Sequence, residues 1–165
     1  MGTIRPIREN DAPAYARIYN HYIRSTTVTF EETEISNQEA LQRIQQTTLA
    51  GYPWLVFEES DKQLSGYAYA GLFKERASYR QTLELSIYLD ANATGRGIGS
   101  KLMQAILDAV SKLDCHILIG GVALPNPASA RLHEKFGFEK IAHFKEVGRK
   151  FDQWIDVAYW QKTIL

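Results

Sequence analysis

Cysteine is almost absent from the chain: Cys115 stands alone, so no disulfide can form within it and a cysteine-built metal cage is excluded. Net charge is absent too. Nineteen Lys and Arg balance nineteen Asp and Glu, which removes the global basic field expected of a nucleic-acid or anionic-membrane binder. No apolar run approaches the roughly 20 residues of a membrane span. The opening Met1-Gly2-Thr3-Ile4-Arg5-Pro6 lacks the apolar stretch of a secretion signal, and Pro6 stands where a lipidated N-terminus carries Ser or Thr. A cytoplasmic chain is expected. There is no repeat, no low-complexity tract and no linker, so residues 1–165 are expected to form one domain, long enough for a real core. Cys115 is expected as a small buried residue in a strand.

Periodicity supplies the elements. Thr3 to Arg8 alternates as a first strand, and Asn10-Asp11 can cap the helix after it, whose apolar face is Tyr15, Ile18, Tyr19, Tyr22 and Ile23. Ser36 with Glu39 has the spacing of a capping box opening a second helix that ends near Gly51. Trp54 to Phe57 and Leu64 to Leu72 form a hairpin about Glu59-Ser60-Asp61-Lys62. In the next strand, Thr82 to Leu89, the leucines and Ile87 take one face, while Glu84, Ser86 and Tyr88 share the other. Ile98, Leu102, Ala105, Ile106, Ala109 and Leu113 mark a long amphipathic helix. Ile117 to Ala123 reads as a strand buried on both faces. A short helix runs from the Pro125-Asn126-Pro127 break to Phe136, and strands near Ile141 to Val147 and Trp154 to Trp160 close the chain. The mixture indicates an α/β or α+β sheet with helices on its faces.

The strand at Thr82–Leu89 leads to Gly95-Arg96-Gly97-Ile98-Gly99-Ser100 and then to a helix. Strand, glycine turn and helix start together make a phosphate-binding arrangement. Free amides and the positive dipole end face the ligand, and glycine removes the Cβ that would keep the backbone away. Two commoner phosphate motifs fail: a P-loop closes on Gly-Lys-Ser/Thr, and a dinucleotide fingerprint spaces its glycines as G-x-G-x-x-G. Here glycines alternate at 95, 97 and 99.

The run from Tyr88 through Gly95-Arg96-Gly97-Ile98-Gly99-Ser100-Lys101-Leu102 resembles the coenzyme A signature of the GNAT N-acetyltransferases. The signature's first position is Gln or Arg in the family but Thr94 here, which leaves Arg96 as the cation at hand. Asn126-Pro127-Ala128-Ser129-Ala130-Arg131-Leu132-His133 is similar to the second half of the same site. The resemblance therefore implies acetyl-CoA as co-substrate, held by Ile87, Tyr88, Leu89, Thr94 to Ser100, Asn126 and Ser129. It also implies the GNAT fold: a mixed, mainly antiparallel sheet of about seven strands with helices on both faces. Ser25 to Phe30, Tyr52 to Val56, Gly66 to Gly71 and Trp154 to Gln161 narrow the likeness to the phosphinothricin, methionine sulfone and methionine sulfoximine acetyltransferases. That subgroup acetylates the α-amine of glutamate-like or methionine-like compounds, and a homodimer is a further implication that no feature of the sequence itself demands.

Acetylation of an ammonium needs a proton acceptor. The resemblance makes Glu84 the general base, directly or through water, and His133 a second base or a proton donor to the departing thiolate. An imidazole titrating near 6.5 serves either role. Backbone amides at Tyr88 or Leu89 are expected to stabilise the developing oxyanion. No cysteine stands in a catalytic motif, so direct attack in a ternary complex is the expected route. Lys74 and Arg76 match the subgroup's basic pair and suit an acidic acceptor, with Phe30, Ser86 and Tyr88 lining its pocket. Trp54 and Trp160 are assigned to the core. His21, His116 and His143 have no metal-ligand spacing, and no metal is expected. A protein N-terminus or another amine as acceptor, and a coenzyme A-binding sensor without catalysis, remain as alternatives. The first would favour an open groove; Glu84 and His133 argue against the second.

Overall fold

The computed structural model describes residues 2–164; Met1 and Leu165, the ends of the expected domain, lie outside it. Its strands are β1 Thr3–Pro6, β2 Trp54–Glu58, β3 Leu64–Leu72, β4 Thr82–Leu89, β5 Ile117–Ala123, β6 Glu139–Lys150 and β7 Gln153–Thr163. They form one sheet in the order β1-β2-β3-β4-β5-β7-β6, antiparallel throughout except at β4–β5. Helices α1 Ala12–Ser25 and α2 Asn37–Leu49 cover one face; α3 Ile98–Val110 and α4 Pro127–Lys135 cover the other. This is the expected sheet with its expected seven strands.

Alternation along the strands feeds two separate cores. Beneath α3, Leu83 and Leu85 of β4, Leu118 and Val122 of β5 and Trp160 of β7 meet Ile98, Leu102, Met103, Ile106 and Val110. Beneath α1 and α2, Tyr15 meets Trp54 and Tyr67 edge-on in an aromatic layer, and Tyr69 and Tyr88 stack on those two rings at its margin. Trp54 and Trp160 are both core. The buried stripe of α3 is rotated from the expected one: Met103 and Val110 take the places given to Ala105 and Ala109, because the larger side chains fill the space over the sheet. Leu113 falls beyond the helix end.

Local chemistry fixes the ends. Ser36 accepts from the Glu39 amide at 3.0 Å and caps α2, while the Glu39 carboxylate turns to Arg43. Asp11 occupies the N-cap position of α1 but makes no cap bond. Its carboxylate instead takes the Arg8 amide and Arg5, which also holds Glu58 and so ties β1, β2 and the helix start together. Cys115 is buried just before β5 rather than within it. β6 and β7 run several residues beyond their expected ends, since their pairing continues through polar residues to the Phe151–Asp152 turn. Both turn residues have positive φ, as tight two-residue hairpins require.

Leu102 is fully buried at the centre of the α3 core. Leu102→Ala should lower unfolding free energy by about 2–5 kcal/mol through lost burial and a cavity, read as a shifted urea midpoint at unchanged m.

Candidate functional site

The parallel pair decides the geometry. β4 and β5 are in register only at Thr82–Ile117, Leu83–Leu118 and Glu84–Ile119, and then diverge. Both strands continue, β4 to Leu89 along β3 and β5 to Ala123 along β7. The result is a fork in the sheet with Glu84 at its apex. Phe73 donates its amide to Thr82 and Asp90 donates its amide to Ser65. Hydrogen-bonded pairs recur every second residue in an antiparallel ladder, so Glu84, Ser86 and Tyr88 spend their backbone groups on β3. The backbone groups of Ile87 and Leu89 point into the fork. Of the two amides expected to face a developing oxyanion, that of Leu89 is therefore on the fork side and that of Tyr88 is not. The Leu89 carbonyl already accepts the Tyr22 hydroxyl at 2.6 Å.

At the fork's mouth lies the glycine turn. Gly95 and Gly97 have φ of 74° and 76°, and open space surrounds the position of a Cβ on either. The first intrahelical bond of α3 is Lys101 N–H to the Gly97 carbonyl, so the amides of Ile98, Gly99 and Ser100 have no helical acceptor. This backbone cradle fits the pyrophosphate of acetyl-CoA. Thr94 is exposed beside it. Arg96 reaches Glu59 at 2.9 Å, so its cation is shared with a carboxylate that also accepts from Ser65. A second cation went unnoticed in the sequence: Lys135, at the end of α4, donates to the Ser100 hydroxyl at 3.0 Å. A polar cavity of about 480 Å³ flanks the turn, lined in part by Arg17, Glu59, Asp90 and Arg96; Glu84 lies outside it.

Glu84 is half-buried on the α1/α2 face of the sheet with Ser86 and Tyr88. A Cβ on Gly121 would sit 3.3 Å from its Oε1 and 3.0 Å from the Tyr159 ring, so glycine makes the room that the carboxylate uses. No hydrogen bond to this carboxylate exists among the described residues. Burial pushes its pKa up from 4.5. Six other carboxylates have displaced titrations, those of Asp11, Glu31, Glu58, Glu59, Asp90 and Asp156, and all six are displaced downward. Glu84 is thus the one carboxylate among the described residues whose titration is displaced upward.

His133 lies on the opposite face. It is 6 % exposed, against Trp160 and Phe138, with its Nε2 so close to Gly120 that a Cβ there would be 2.2 Å away. Nδ1–H donates to the Ser129 carbonyl at 2.7 Å, which leaves Nε2 as a buried lone pair without a partner. Burial lowers the imidazole pKa below 6.5, and the Ser129 contact opposes that shift. The sheet therefore does not bring the two expected catalytic side chains together: Gly121 faces Glu84, and its neighbour Gly120 faces His133. Asn126 caps α4 by accepting the Ser129 amide at 3.2 Å.

Of the acceptor candidates, Ser86 and Tyr88 share the face of Glu84 on β4. Phe73 follows β3 and meets Tyr159 edge-on at 6.5 Å, and Lys74 and Arg76 follow it on an exposed loop. Neither makes an ion pair among the described residues. Phe30, 42 % exposed, lies over Gly148 of β6 in the connection between α1 and α2. Among the described residues no group of three His, Cys, Asp or Glu side chains is placed to hold a metal ion.

Known proteins share this arrangement. The profile of the Acetyltransferase (GNAT) domain matches residues 4–159. The phosphinothricin N-acetyltransferase of Alcaligenes faecalis is 37 % identical over 98 % of this chain and 82 % of its own. The L-methionine sulfoximine/L-methionine sulfone acetyltransferase of Salmonella typhimurium is 33 % identical over 96 % and 92 %. The crystal structure of a phosphinothricin acetyltransferase from Sinorhizobium meliloti in complex with acetyl-CoA superposes with a TM-score of 0.95, at 33 % identity over 98 % and 88 %. The forked sheet, the glycine cradle and these likenesses agree: the chain belongs to the GNAT acetyltransferase family.

Proposed function

We propose that this acetyltransferase acts on the α-amine of a small amino-acid analogue of the phosphinothricin, methionine sulfoximine or methionine sulfone type, by direct attack in a ternary complex. The observation that carries the reading is Glu84, an unpartnered carboxylate at the fork's apex whose pKa burial has raised. Bound acetyl-CoA supplies a thioester acetyl group at the fork. Amides at the start of α3, with Arg96 and Lys135, hold its phosphates. Glu84 takes the proton from the acceptor's ammonium, directly or through one water, and so leaves a nucleophilic amine. The Leu89 amide donates to the carbonyl oxygen as charge develops on it.

Lys74 and Arg76 hold the acceptor's acidic groups, while Phe30 and Tyr88 take its apolar part. His133 is less suited to the role of first base, since its Nε2 is buried on the other face and its Nδ1 carries the proton given to Ser129. It packs against Gly120 of β5, and it could give a proton to the thiolate only when Nε2 is itself protonated.

Glu84→Gln should lower kcat by about a hundredfold or more while acetyl-CoA affinity, measured calorimetrically, stays unchanged. The same change carries a stability signature. A carboxyl whose pKa is higher folded than unfolded is unpenalised below its unfolded pKa, and costs stability as pH rises through the folded value. Glu84→Gln should therefore raise the melting temperature relative to wild type at pH 7–8, with the gain vanishing below about pH 4. Arg76→Ala should raise KM for an acidic acceptor about tenfold and leave KM for acetyl-CoA unaltered. Release of free thiol from acetyl-CoA with phosphinothricin, methionine sulfoximine, methionine sulfone, free amino acids and an alanine-initiated peptide tests the acceptor class. Turnover confined to the peptide would overturn it.

A further inference from the structure

Lys150 is the one lysine among the buried residues, 2 % exposed at the end of β6. Nothing in its sequence neighbourhood, Arg149-Lys150-Phe151-Asp152, separates it from a solvated hairpin. Its Nζ donates to the Thr29 carbonyl at 2.9 Å and lies 5.2 Å from the centre of the Phe151 ring. Burial lowers its pKa, and Glu32 and Glu31 work against that shift. Lys150 also borders a cavity of about 680 Å³ shared with Glu32 and Glu34, and an ammonium largely withdrawn from water is a costly occupant of a place that a methionine would fill.

What the ammonium grips is the crossing from α1 to α2. Thr29 is itself buried, and its hydroxyl lies 2.8 Å from that of Tyr19, which also donates to Glu31. Arg43 holds the same Glu31 with two bonds of 2.8 and 2.6 Å. Tyr19 and Tyr22 pack edge-on against Tyr88, at 5.2 and 5.1 Å. Phe30 comes next in the chain, its ring so close over Gly148 that a Cβ there would be 2.3 Å from two of its carbons. The far wall of the Glu84 face is therefore a short span held from α1 and α2 at one end and from β6 by Lys150.

We propose that Lys150 is a positioning residue for the acceptor: through the Thr29 carbonyl it fixes Phe30 over Gly148 and thereby sets where that ring stands against an acceptor bound on the Glu84 face. It touches neither co-substrate. This rests on the reading that the acceptor binds on the Glu84 face.

The test is a steady-state double-mutant cycle on the full chain with Lys150→Met, Phe30→Ala and the combination, accompanied by hydrogen exchange of amides 27–32. Lys150→Met should raise KM for the acceptor about tenfold, leave KM for acetyl-CoA within twofold and speed exchange in 27–32. The double variant should bind acceptor no worse than Phe30→Ala alone, because Lys150 acts through that ring. Lys150→Arg, which keeps a donor, should restore most of the acceptor affinity. Gly148→Ala displaces the ring without touching the charge, and it should reproduce the same KM split if Lys150→Met proves insoluble. Unchanged acceptor KM in Lys150→Met or Gly148→Ala overturns the proposal, as do effects that add in the double variant. A wild-type chain that turns over no amino-acid acceptor overturns instead the reading of the acceptor. In that event unaltered exchange in 27–32 also removes Lys150 as anchor.

Discussion

Everything that makes this sheet a site follows from a parallel ladder that stops after three residue pairs. β4 is bonded to β3 along its length and β5 to β7 along its length, so the outer edges of the two central strands are satisfied. Only their inner edges come apart beyond Glu84 and Ile119. Buried backbone amides and carbonyls rarely go without partners. An opening in the middle of a sheet therefore calls for something with polar groups of its own, and an extended amide-bearing ligand can take the place of the missing strand. One such carbonyl, that of Leu89, is already met by Tyr22 from α1. The fork also explains why the turn beyond β4 is glycine-rich: the strand delivers its ligand-facing edge straight to the free amides of α3.

Gly120 and Gly121 in β5 serve both sides of that opening. Glycine weakens a strand, and its presence usually marks a close approach. Here the approaches are on opposite faces: the His133 imidazole brings its Nε2 corner against Gly120, and the Glu84 carboxylate and Tyr159 ring crowd Gly121. Two adjacent missing side chains let a histidine support the strand from beneath α4 while a carboxylate occupies the other face. Alternation along the strand, rather than any choice of chemistry, is what keeps these two ionisable groups apart.

Much of this was legible in the residues, and the limits were physical. Alternation in Thr82–Leu89 set Glu84, Ser86 and Tyr88 on one face because period two is local information. The faces of Glu84 and His133 relative to each other depend on the register of β5 with β4 and β7, set between residues far apart in the chain, and nothing local carries it. The stripe of α3 was found but rotated, since periodicity tells that a helix has an apolar side and the sheet beneath tells which. β6 runs longer than its apolar residues because an edge strand pairs through its backbone while its side chains stay polar. Lys150 and Lys135 were missed for one reason: a lysine in a polar stretch reads as solvated until a distant carbonyl or hydroxyl is seen to meet it.

The electrostatics follow from the same architecture. Most acids that the fold touches are paired: Asp11 and Glu58 with Arg5, Glu31 with Arg43, Glu59 with Arg96, Asp90 with Arg17 and Asp156 with His143. These contacts join one element to another, and each lies where pairing or packing brings two segments together. Glu84 sits where two segments separate. The position that faces it on β3 is Gly71, which offers no cation, and Lys74 and Arg76 lie on the exposed loop beyond that strand. Partial burial without a partner is costly for a carboxylate, and the fold bears that cost at the position proposed to accept the proton. The interruption of the ladder thus creates the opening, and at its apex it leaves a carboxylate with no partner and a pKa raised by burial.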